Sequence, residues 1–182
     1  MRYFFAIVLF GLQLTCFAQK STTEMPDVTA EVQLKLKHEV ETEIPGFKKQ
    51  LEKFKADTAT ITFKIDTFRV ERLMQKWVSL NYSDYSMKEA TLAAARSYDA
   101  LLNKYYKKLN KSLKPADRKK LTDAQKTWLA YRDSEQQLIL AVDNEAYSGG
   151  SIEGLTDIAS FLDLVKQRTI MLFEYYETLR QE

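Results

Sequence analysis

The chain has 182 residues, enough for one domain with a real core, and 45% hydrophobic with 29% charged residues excludes a disordered or membrane-embedded protein. Five glycines and three prolines leave few turns, which argues against a sandwich or barrel of short strands and for a few long helices. The formal charge of +2 falls to +1 once Arg2 leaves with the leader described next, so no global field draws the protein to nucleic acid.

Residues 1–18 read as a signal peptide. Arg2 supplies the positive start, Tyr3 to Leu14 the apolar run, and Cys16-Phe17-Ala18 a small-x-small cleavage site. The apolar run is short for a membrane span, so export to the periplasm or medium is expected, with no transmembrane segment in the mature protein. Lipidation at Cys16 is the weaker alternative, because Leu14 and Thr15 fit poorly before a lipidated cysteine. Cys16 is the only cysteine, so the exported chain has no disulfide, thiol nucleophile or thiolate metal site.

Residues 19–80 read as an N-terminal helical arm. A polar lead-in carries Pro26; a charged helical pattern then holds Val32, Leu34, Leu36 and Val40, is interrupted at Pro45-Gly46, and resumes through Phe47, Leu51 and Phe54. The lone His38 sits among charges without ligand-spaced partners and reads as a solvated helix position. Thr60 to Ile65 alternates like a strand, yet a lone strand would have no partner, and helical spacing takes over from Asp66 through Phe68, Leu73 and Trp77.

Residues 81–182 read as the main helical domain. Asn81 to Ser86 is a turn, with Ser86 and Glu89 placed as a capping box. The next helix keeps an apolar stripe through Met87, Thr91, Ala94, Tyr98, Leu101, Leu102, Tyr105 and Leu109. Pro115 opens another helix, expected to turn Leu121, Ala124, Trp128, Tyr131, Leu138, Val142 and Ala146 inward and to stop at Gly149-Gly150. A last helix, from about Leu155 to Leu179, offers Leu155, Ala159, Leu162, Val165, Leu172 and Tyr176 to the same core. The expected fold is all-α: an up-and-down antiparallel bundle of three long helices, organised around the helix after Pro115, with the N-terminal helical arm added.

Chemistry is sparse. Asp99 and Asn103 share one helix face, and Gln125 and Arg132 share another. A ligand-binding cluster is one reading. A structural network fits better, with Arg132 paired to Asp99 or Asp133, and Trp128 and Tyr131 in the core. No phosphate loop, zinc motif, nucleophile elbow or Cys–His pair occurs, so neither an enzyme nor a cofactor or metal is expected.

Charge is segregated. Lys104 to Lys120 holds eight basic residues against Asp117, whereas Asp133 to Val165 holds seven acids and no Lys or Arg. In the long helix from Pro115 the basic start and the acidic finish lie at opposite ends, roughly 40 Å apart at 1.5 Å per residue. The acidic segment suits docking on a cationic partner, and the basic turn suits anionic wall polymer or lipid.

The set Tyr98-Asp99, Leu102-Asn103, Tyr106, Leu121, Ala124-Gln125, Trp128, Tyr131-Arg132-Asp133, Gly149-Gly150-Ser151 and Arg168 resembles the LprI-type lysozyme-inhibitor domain over about Met87 to Leu172. The resemblance implies an exported helical domain whose relatives usually carry stapling cysteines. The matching positions here look to be Ala90, Gln136 and Ser160, with one more near Tyr82. It also implies a cationic partner such as lysozyme. On charge and the glycine pair, the expected contact residues are Asp143, Glu145, Tyr147, Gly149, Gly150, Ser151 and Glu153. An envelope-binding module using residues 104–120 is the alternative.

Overall fold

The computed structural model describes residues 25–147 and 153–180, and all of their regular structure is helical. Residues 1–18, with their cleavage site and Cys16, lie outside the described residues, as do Gly149, Gly150 and Ser151. The helices are α1 (Ala30–Lys53), α2 (Thr58–Leu80), α3 (Asp84–Ser112), α4 (Pro115–Tyr147) and α5 (Glu153–Thr178). The all-α bundle expected from the sequence is the observed class.

Two helices make up the N-terminal arm. α1 runs through Pro45 and Gly46 without the expected break. A helix-interior proline forfeits one hydrogen bond and strains the turn before it. Contacts with α2 on both sides of Pro45 oppose that loss. Glu39, Glu41 and Glu43 pair with Lys76, Arg69 and Arg72 at 3.0, 2.7 and 2.6 Å, and Phe47 stacks on Phe68 with centroids 4.3 Å apart. The helix stops at a tight turn in which the Lys55 and Ala56 amides donate to the Glu52 and Leu51 carbonyls, with Lys55 at φ 56°. Asp57 then caps α2, accepting from the Ala59 amide at 2.9 Å. Thr60 to Ile65 is therefore helix. Its apparent alternation is overridden by Ala59 and Phe63, which lie on the buried face of α2.

α3 starts earlier than expected. Ser83, not Ser86, is the N-cap and accepts from the Ser86 amide at 3.3 Å. The Ser86 hydroxyl instead accepts from Trp77 Nε1 at 3.0 Å, in a small core where Leu36, Trp77 and Ala90 meet. A buried indole N–H needs an acceptor, and this need outweighs the capping box at Ser86.

The main core lies along the packed pair α3 and α5, with α2 closing one side. Phe63 of α2 stacks on Phe173 of α5 with centroids 3.9 Å apart, and Tyr105 of α3 meets both edge-on at 5.0 and 5.5 Å. The Tyr105 hydroxyl donates to Asp66 at 2.7 Å, and the Tyr98 hydroxyl donates to Glu71 at 2.7 Å. Lys104 and Lys166 complete the two sites by pairing with Asp66 and Glu71. Burial first, then the acceptor carboxylates, push both phenols far up, so each remains a donor throughout the ordinary pH range. The acceptors both come from α2, so the arm supplies polar partners to the main core as well as apolar surface.

Two outcomes follow. Phe63→Ala, which empties one member of the ring triad, should cost about 3–5 kcal/mol in urea unfolding. The second concerns acid. Hydrogen bonds from Thr60, Arg180 and Ala59 hold the Asp57 carboxyl well below its usual range. At Glu71, burial raises the pKa, but hydrogen bonds from Lys166 and Tyr98 outweigh it and the net shift is downward. A depressed folded pKa gives stability that is complete above the unfolded value, about 4, and is lost as pH falls below it. The thermal midpoint should therefore decline from about pH 5 downward, and Asp57→Asn, which keeps a capping side chain, should flatten that decline.

Candidate functional site

α4 is not the organiser that its composition suggests. It packs chiefly on α5, adding a Tyr106–Thr122 hydroxyl contact to α3 at 3.3 Å. Of the inward set expected for it, Leu121 is buried and Trp128 partly buried, the side chain of Ala146 lies outside the described residues, and the other four fail. Ala124 is exposed, and Tyr131, Leu138 and Val142 are 50%, 57% and 54% exposed. Side chains that face inward include Leu121, Gln125, Trp128, Arg132 and Asp143. At 100° per residue this face is turned by roughly 70° from the expected one.

The reason is polar. Arg168 of α5, only 7% exposed, stands in the α4–α5 seam, where its Nε donates to Gln125 Oε1 at 3.1 Å. Its guanidinium carbon lies 5.8 Å from the Trp128 ring, and that of Arg132 lies 5.6 Å from the same ring. Trp128 thus meets two cations, and Arg132 also reaches the Phe161 ring at 5.7 Å. Satisfying Arg168 requires Gln125 to face inward, and this carries the outer apolar residues into solvent. Of the two partners open to Arg132, Asp133 is the one used, at 2.6 Å. Asp99 instead accepts from Asn103 at 3.2 Å along α3. The expected four-residue network is therefore two separate pairs, Asp99–Asn103 and Gln125–Arg168, with Arg132–Asp133 beside the second.

The sequence did not pair Gln125 with Arg168. A signal was available: Arg168 is flanked at i−4, i−3, i+3 and i+4 by Leu164, Val165, Met171 and Leu172. A cation with only apolar neighbours on its own face is turned into the protein. Burial pulls its pKa down, because the charged form is penalised away from water.

At the distal end of α4, Glu145 is exposed, whereas Asp143, expected on an acidic rim, is 6% exposed and has one carboxylate oxygen without a hydrogen-bond partner among the described residues. The side chains of Ala146, Tyr147 and Glu153 lie outside the described residues. At the other end much of the basic turn is engaged. Lys119 pairs with Asp123, Lys120 with Asp117 and Lys104 with Asp66, while Lys108 lies over the Tyr105 and Tyr176 rings. His38 is exposed, and no His, Cys, Asp or Glu cluster suited to a metal occurs among the described residues.

Gln125→Leu tests the seam. It leaves the Arg168 Nε without its acceptor and should cost about 1–3 kcal/mol in chemical denaturation, with little change in helical circular dichroism.

No curated protein and no solved structure matches the chain significantly. The family model described as lysozyme inhibitor LprI matches residues 79–172, just over half of the chain. That span takes in α3, α4, most of α5, the Gln125–Arg168 seam and the acidic segment. No helix among the described residues is long and apolar enough to cross a membrane. The chain belongs to the lysozyme inhibitor LprI family.

Proposed function

We propose that this protein is exported, is not an enzyme, and inhibits a cationic lysozyme by docking the distal half of α4 and the segment that follows it. The observation that carries this reading is the company that Leu138 and Val142 keep. Both are more than half exposed, and they lie in a stretch from Asp133 to Val165 with seven acids and no Lys or Arg. Exposed aliphatic and aromatic side chains within a field of one sign have the makeup of a protein-docking surface, with anchors supplying affinity and charge supplying steering. Tyr131, a half-exposed aromatic, extends the same stripe by two turns.

In this reading Glu145, Tyr147 and Glu153 flank the contact, and Gly149, Gly150 and Ser151, whose small side chains permit a close approach to the target, complete it. Asp143, being buried, contributes field rather than contact. Export rests on the leader at residues 1–18 and accords with a target that acts on the cell wall.

The test is the clearing of a peptidoglycan suspension by a c-type lysozyme. The mature protein should slow clearing at micromolar concentration. Leu138→Ala with Val142→Ala should weaken inhibition by about tenfold or more, the scale of a lost hot spot. Glu145→Lys with Glu153→Lys should instead slow association and reduce its salt dependence. Undiminished clearing at a molar excess of folded protein would dispose of the proposal.

A further inference from the structure

A second feature, distant from the acidic segment, points to a different ligand. Where the C-terminal ends of α3 and α5 meet the start of α4, a cleft of about 480 Å³ opens to solvent. Its size is within the roughly 300–1,000 Å³ range of small-ligand sites. Leu109, Leu113, Leu121 and Leu179 make its walls apolar. Arg168 also lines it. Lys120 and Asp117 stand at this cleft paired to each other at 2.8 Å, so they cancel and leave Arg168 as the uncompensated charge.

Arg168 is more than nine-tenths buried, yet no carboxylate among the described residues pairs with it. Among the described residues its hydrogen bond runs from Nε to Gln125, and none of them provides an acceptor to the two terminal nitrogens of the guanidinium. A buried guanidinium is ordinarily matched by an anion, and the described residues provide instead an amide oxygen and the face of Trp128. Burial works against the charge, so an incoming anion would relieve an existing cost.

We propose that this cleft binds a single-chain amphiphile with a carboxylate head, a free fatty acid, with the head on Arg168 and the chain along the leucines. The planar fork of a guanidinium matches a carboxylate with two parallel hydrogen bonds. One carboxylate neutralises one guanidinium, whereas a phosphate monoester would bring excess negative charge beside Asp117. The apolar walls exclude a small hydrophilic anion as the best-fitting ligand, since it would leave them wet. The site does not depend on the lysozyme reading and uses none of its residues.

The experiment is calorimetric titration of the mature protein, at pH 8 and below micelle-forming concentrations, with dodecanoate, dodecanol and dodecyl phosphate. Dodecanoate should bind at one site, with dodecanol at least about tenfold weaker because it lacks the charge-assisted bonds. Arg168→Gln should bring the acid and the alcohol to similar affinities. Because a buried arginine also matters to folding, Ala124→Trp provides a second arm. Ala124 is an exposed residue of the cleft, so its replacement should leave helicity and thermal midpoint unchanged while abolishing dodecanoate binding. No binding of dodecanoate to folded protein, equal binding of the alcohol, tighter binding of the phosphate, or binding that survives Ala124→Trp would each overturn the assignment.

Discussion

The structure depends on three rings drawn from three helices. Phe63, Tyr105 and Phe173 meet within 3.9 to 5.5 Å, and they bring α2, α3 and α5 to one point. Stacking alone would not fix the register, because flat rings slide. The hydroxyl on Tyr105 does so by reaching Asp66, one turn along α2 from Phe63, and Tyr98 repeats the device two turns earlier on α3 with Glu71. Each buried phenol demands an acceptor, and each acceptor is placed where only one alignment of α2 can provide it. In a chain whose described residues carry no cysteine, this pairing of aromatic burial with charged acceptors fastens the core.

The family boundary at residue 79 therefore falls inside a working unit. Asp66, Glu71, Phe63 and Trp77 all precede it, and all are committed to partners beyond it. This has an architectural consequence: the helices before the family boundary are constituents of the core. The salt links from Glu39, Glu41 and Glu43 across to α2 extend the same logic outward, holding α1 to the helix that holds the rings.

Much of this was legible in the sequence. The stripe on α3 reads correctly because the exposed positions beyond its first turn are nearly all polar, Arg96, Asn103, Lys107 and Lys111 among them, leaving periodicity one choice. Pro115 opens α4 as its missing N–H predicts. α4 itself was misread because apolar residues occur all around it. With Leu129 and Leu140 on one flank and Tyr131, Leu138 and Val142 on another, hydrophobic periodicity selects a face by majority. The actual orientation is set by a single polar requirement, that of Arg168, which lies in a different helix and leaves no trace in the local pattern of α4. Pro45 and Ser86 teach the same lesson at smaller scale. Local rules for breaking and capping helices hold until a tertiary partner, the α2 ladder or the Trp77 indole, outweighs them.

The peripheral seat of α4 also bears on motion. A helix that rests chiefly on one neighbour, with a polar pair in its seam and a bare outer face, should open locally at less cost than helices locked around the rings. Its amides would exchange with solvent through opening of that helix alone, while those of α3 and α5 wait for global unfolding. On this account α2, α3 and α5 form the frame, and α4 is the rod that lifts from it most readily. Any ligand seated between them, or any partner clasping the rod's outer side, would be felt first as a change in how often the rod lifts away.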